Sequence, residues 1–125
     1  MKKLLVLFAL TVVLISCGQK TDTSLPVEKF QEEITKPDII LLDVRTPEEY
    51  AEGHLANSIN LDFRSTNFET RIDSLDKTKT YEIYCHSGKR SSNSVKLMRE
   101  KGFKDVHDLK GGILEWQAKG LPVTK

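Results

Sequence analysis

The first strong pattern in the chain is an apolar run, Leu4 to Ile15, in which only Thr11 is polar. Lys2 and Lys3 precede it, and the small, polar stretch Gly18 to Ser24 follows. Beyond that point the period of the apolar positions changes repeatedly. Val27, Phe30 and Ile34 recur at helical spacing after Pro26, which suits a helix start, and Pro37 ends the segment. Ile39 to Leu42 is a continuous apolar run leading into Asp43, Val44 and Arg45, the pattern of a strand buried on both faces. Thr46-Pro47-Glu48-Glu49 supplies a cap, a proline at the first helical position and the glutamate of a capping box, and Gly53 closes the short helix. Ile59 to Leu61 reads as a short strand, Phe68, Ile72 and Leu75 as one helix face, and Tyr81 to Tyr84 as a strand. Ser91 to Lys101 reads as a helix with Val95 and Met98 on one face, and Phe103 to His107 as a further strand. Ile113, Leu114 and Trp116 belong to a last helix stopped by Gly120 and Pro122. Strands alternating with helices predict an α/β fold, with a mainly parallel central sheet and helices on both faces.

A chain of 125 residues has the length of one domain. Its 19 basic and 18 acidic side chains leave no basic excess for general nucleic-acid binding, and two cysteines cannot make a disulfide scaffold. The N-terminal apolar run is shorter than the ~20 residues a membrane span needs. With its charged start and the small residues after it, it has the layout of a secretory signal. Leu14-Ile15-Ser16-Cys17 resembles the end of a bacterial lipoprotein signal. On that reading residues 1–16 are removed, Cys17 is lipidated, residues 17–24 form a tether and residues 25–125 form the domain. The protein is then expected in the bacterial cell envelope, lipid-anchored and facing the periplasm or the surface. Ordinary cleavage after Gly18 is the competing reading. Removing the signal leaves 17 basic against 18 acidic side chains and, with Cys17 acylated, Cys85 as the one free thiol.

Cys85 opens the most informative segment, Cys85-His86-Ser87-Gly88-Lys89-Arg90-Ser91, between an expected strand and an expected helix. Ligands bind at such strand ends in open α/β sheets. A loop curling into a helix N-terminus directs several backbone N–H groups at one point, and the helix dipole adds positive potential there. Gly88 allows the curl. Between Tyr84 and Arg99 there is no carboxylate, whereas Lys89, Arg90, Lys96 and Arg99 are cationic. Such surroundings favour thiolate over thiol. The segment therefore describes a nucleophilic cysteine at the floor of an anion-binding loop; a buried, inert cysteine is the bland alternative.

These residues resemble the rhodanese family. Cys85, Gly88 and Arg90 match that family's active-site pattern, Cys-x-x-Gly-x-Arg. Asp43-Val44-Arg45 matches its first-strand motif, and Glu49, Tyr50, Gly53, His54, Leu55 and Asn60 match the helix and turn that follow. Gly102-Phe103, Val106, Leu109, Gly111-Gly112 and Trp116 match its C-terminal signature. The resemblance covers about residues 25–123. It departs at Asn57-Ser58, where Gly-Ala is common, and at Ser94, where a small apolar residue is usual.

The resemblance implies a rhodanese-like fold, its mainly parallel central sheet having about five strands, and a sulfurtransferase of the thiosulfate type. Cys85 would take a sulfane sulfur from a donor such as thiosulfate, hold it as a persulfide, and release it to a thiol or cyanide. His86, Ser87, Gly88, Lys89, Arg90 and Ser91 would form the substrate-binding loop, with Asp43 and Arg45 supporting it by ion pairing. No metal or organic cofactor is required, no nucleic-acid partner is implied, and a monomer is expected. Arg90 is open between binding the donor and a structural role, and His86 and Lys89 between tuning the site and facing solvent. His54, His107 and Trp116 read as structural. A persulfide carrier or rhodanese-fold binding module with little turnover of its own is one alternative. A phosphatase or arsenate reductase is another, but in those enzymes the loop is one residue longer and the arginine falls six positions after the cysteine. That position here is Ser91.

Overall fold

A computed structural model describes residues 23–125. The apolar N-terminal run, Cys17 and the tether as far as residue 22 lie outside the described residues. The elements are β1 (Ser24–Leu25), α1 (Val27–Glu33), β2 (Ile39–Asp43), α2 (Pro47–Glu52), β3 (Ile59–Asn60), α3 (Phe68–Asp73), β4 (Thr80–Tyr84), α4 (Lys89–Glu100), β5 (Asp105–Leu109) and α5 (Gly112–Ala118).

The five strands form one sheet in the order β1-β5-β4-β2-β3, and every neighbouring pair is parallel. Successive strand residues serve opposite faces, as the two-residue period requires. Leu42, Tyr81, Ile83 and Val106 pack with Phe68 and Ile72 of α3 and Val95 and Met98 of α4. Leu41, Tyr84 and Leu109 pack with Val27 and Phe30 of α1 and Ile113 and Trp116 of α5. The continuous apolar runs are continuous because both faces are covered.

Two features go beyond the apolar pattern. Ser24, which composition assigns to the tether, already lies in the sheet opposite Asp108. A two-residue strand has no periodicity to betray it; it is held by Asp108 N–H to Thr23 O and Lys110 N–H to Leu25 O, both at 2.8 Å. Helix α4 starts at Lys89, two residues before the expected Ser91, because Gly88 at φ 106° turns the chain directly into it. The α2 capping box forms as expected, with Thr46 and Glu49 bonding each other's backbone N–H groups.

Candidate active site

Cys85 follows β4 at the C-terminal edge of the sheet, and its side chain is buried against the α3/α4 face. Two backbone N–H groups donate to its Sγ, Gly88 at 3.1 Å and Ser91 at 3.4 Å. They converge on sulfur because Gly88 takes a left-handed conformation and α4 begins at once, so its unpaired first-turn N–H groups face the loop. His86, Ser87 and Lys89 are exposed and form the outer wall of the loop.

The back of the loop is fixed by the start of α5. Ile113 N–H donates to Cys85 O at 2.9 Å and Leu114 N–H to His86 O at 3.2 Å. This approach requires glycine at 112, where a Cβ would stand 2.3 Å from His86 O. The Gly111-Gly112 pair thus has a physical reason: it lets one loop lie directly on another.

Arg90, left open by the sequence, is committed to Glu49. Its two terminal nitrogens meet the two carboxylate oxygens at 2.7 and 2.9 Å. Arg90 holds the Glu49 carboxyl down, to about 2. The pair ties α4 to α2 across the site and leaves exposed Lys89 as the loop cation able to meet an incoming anion. Beneath it, Asp43 and Arg45 form the expected ion pair. Arg45 Nε and Nη2 fork onto the Asp43 carboxylate, with Nη2 at 2.6 Å from Oδ2, and Nη2 also donates to Gly53 O at 2.7 Å. Asp43 is wholly buried and Arg45 nearly so. They join the end of β2 to the end of α2 and do not touch sulfur.

The departures at positions 57, 58 and 94 are accommodated. Asn57 takes φ 67°, a conformation asparagine tolerates. Ser58 Oγ bonds Leu55 O and the Tyr84 hydroxyl, and Ser94 Oγ bonds Arg90 O. His54 Nδ1 meets Tyr50 O, and His107 Nδ1 meets Glu82 Oε1, each at 2.8 Å. Among the described residues no group of three His, Cys, Asp or Glu side chains is placed to hold a metal ion.

The rhodanese-like domain family matches residues 26–119. The chain belongs to that family. A sulfurtransferase of Allochromatium vinosum is 34% identical over 87 residues, covering 70% of this chain and 79% of that protein. A thiosulfate sulfurtransferase of Coxiella burnetii is 34% identical over 85 residues, covering 68% and 78%. The crystal structure of a rhodanese-related protein from Thermoplasma volcanium superposes with a TM-score of 0.72 at 32% identity, over 81% of this chain and 96% of that one. The α/β rhodanese fold expected from the motifs is the fold observed.

Sequence reasoning missed two carboxylates at this rhodanese-like site. Glu49 arrives from α2, 41 positions from Arg90, and Asp108 arrives from β5, where Ser91 Oγ donates to it at 2.9 Å. The loop segment itself carries no acid, so nothing local signalled them.

Proposed function

We propose that this rhodanese-like protein is a sulfurtransferase that carries a sulfane sulfur on Cys85 as a persulfide. The observation that carries the reading is Cys85 Sγ receiving two backbone N–H groups at the start of α4. Those donors stabilise negative charge on the sulfur that attacks. The related sulfurtransferases of similar length support the assignment. Exposed Lys89 suits an anionic donor, and thiosulfate is the donor proposed, with a thiol or cyanide as acceptor. The Arg90–Glu49 pair argues against phosphoryl transfer, because the arginine is occupied and falls five residues after the cysteine.

Intact-mass measurement before and after thiosulfate tests this directly. Cys85 should gain the mass of one sulfur atom and lose it on adding cyanide. An unchanged mass with every sulfane donor tried, or uptake that survives Cys85→Ser, overturns the reading.

The N-terminal segment, read as a lipoprotein signal, adds a location. Cys17 would be acylated and hold the domain at an envelope membrane. Two or more buried acyl chains, at about 0.8 kcal/mol per methylene, anchor stably. The mature protein should start at Cys17 and partition with membranes, and Cys17→Ala should release it or leave the precursor unprocessed. A soluble wild-type protein starting at Gln19 would reject the anchor without affecting the chemistry.

A further inference from the structure

Behind Cys85 lies a carboxylate that the loop does not contain. Asp108 is 1% exposed. Its Oδ1 accepts from Ser24 Oγ at 2.7 Å and its Oδ2 from Ser91 Oγ at 2.9 Å. Two donated hydrogen bonds suit the ionised carboxylate. Ser91 Oγ also lies 3.2 Å from Gly88 O and 3.4 Å from Cys85 Sγ. A hydroxyl has one proton to give. The charged and nearer acceptor, Asp108, takes it. Ser91 therefore turns a lone pair, not its hydrogen, toward the sulfur.

That orientation works against the two backbone N–H groups. They favour negative charge on Sγ; the lone pair and the anion behind it favour an S–H or an uncharged sulfur. In a persulfide, Sγ is an uncharged bridging atom. The charge rests on the outer sulfur, about 2.0 Å farther from Asp108 along the new bond if the outer sulfur points toward the mouth. We propose that Asp108 is a positioning residue which, through Ser91, disfavours charge on Cys85 Sγ and so tilts the enzyme toward its sulfur-loaded form. The proposal rests on the sulfur-transfer reading of Cys85. In the loading step the Cys85 thiolate attacks the outer sulfur of thiosulfate. A new S–S bond forms, the donor's S–S bond breaks, and sulfite leaves with the bonding pair and both donor charges. The single negative charge of the protein sulfur moves outward from Sγ to the persulfide end. No oxidant or reductant is needed.

Among the described residues, the other charges on elements packed against Cys85 do not duplicate this effect. Arg90 feels the thiolate but is held by Glu49, and Arg45 is matched by Asp43. Lys89 sits on the exposed side of the loop, opposite in sign to Asp108.

The test is Asp108→Asn in the full chain, with folding checked by circular dichroism. The pH dependence of Cys85 alkylation by iodoacetamide, read on its peptide by mass spectrometry, follows thiolate formation independently of sulfur transfer. Its midpoint should move down by about half a pH unit or more, equivalent to about threefold. At a fixed thiosulfate-to-sulfite ratio, the proportion of loaded to free protein should fall by a similar factor. General loosening of the loop would weaken the N–H donors and move the midpoint up. A folded variant with an unmoved or raised midpoint, or with unchanged loading while the wild type loads, overturns the proposal alone. A wild type that takes up no sulfur overturns the functional reading instead. Should Asp108→Asn fail to fold, Asp108→Ser removes the same charge and is held to the same two outcomes.

Discussion

Two wholly buried carboxylates in the sheet have very different surroundings. Asp43, at the end of β2 beside the site, meets a forked guanidinium and also accepts the Arg45 backbone N–H at 2.9 Å. Glu82, in the middle of β4 on the α1 and α5 side, meets one ring nitrogen of His107, while its Oε2 has no hydrogen-bond partner among the described residues. Burial pushes the Glu82 carboxyl above its ordinary value of 4.5, only partly offset by His107. At the active edge the charges are arranged to hold loops in place. In the body of the sheet a charge is merely tolerated. The difference separates a charge on which the loops around the site rest from one the sheet can lose.

The separation is sharpest in Cys85, the proposed nucleophile. Cys85→Ser should reduce sulfur transfer roughly ten-thousand-fold or more, because no persulfide can form on a hydroxyl. Its thermal midpoint should stay near that of the wild type. Glu82→Gln should do the reverse, leaving transfer within about twofold while changing stability. Assaying both variants for rate and unfolding breaks the comparison if either shows the other's profile.

Next in size is the Asp43–Arg45 pair. Arg45→Met leaves a wholly buried carboxylate without its partner and should cost about 3–5 kcal/mol in denaturant unfolding. The loss should appear in stability before it appears in rate at temperatures where the variant is folded, since neither residue touches sulfur. A cost below about 1 kcal/mol would mean that the pair is no better placed than a surface one.

How much of this was legible in the sequence depended on whether the partners were local. Four of the five strands, the two covered faces and the α2 capping box came from period and spacing within short windows; the last strand, expected at 103–107, lies two residues later, at Asp105–Leu109. The Asp43–Arg45 pair was legible because its members are two residues apart. Cys85 and Gly88 were legible because loop and helix start are contiguous. The Arg90–Glu49 and Ser91–Asp108 contacts were not, because they join elements 41 and 17 positions apart and leave no local pattern. β1 was hidden for a different reason: two residues are too few to show alternation, and only pairing with β5 makes them a strand.

The Arg90–Glu49 pair gives an intermediate effect with a definite pH signature. The Glu49 carboxyl is held at about 2 against an ordinary 4.5. A lowered folded-state value contributes stability that is present above the ordinary value and lost as pH falls toward the lowered one. The contribution, discounted for partial exposure, is on the order of 2 kcal/mol. Glu49→Gln should therefore be less stable than the wild type at pH 7, with the gap closing between about pH 4.5 and pH 2 in parallel unfolding series. A gap of constant size down to pH 2 would show that the bond lost was not an ionic one.

The smallest effect belongs to Glu82, and its sign is the opposite. The folded carboxyl is raised, so the folded state binds a proton more readily than the unfolded chain does. Stability from this group is fully present below the ordinary value of 4.5 and is lost as pH rises through the raised one. The wild type should lose ground relative to Glu82→Gln as pH climbs from 4.5 into the neutral range. An amide keeps the shape, needs no charge in the sheet and can still bond His107. Glu82→Gln is thus expected to match the wild type at pH 4 and to exceed it by about 1 kcal/mol at pH 8. Unfolding series on the two proteins across that range decide it. A variant that is less stable at every pH would mean that the His107 contact outweighs the cost of burial, and that Glu82 is held as firmly as Asp43.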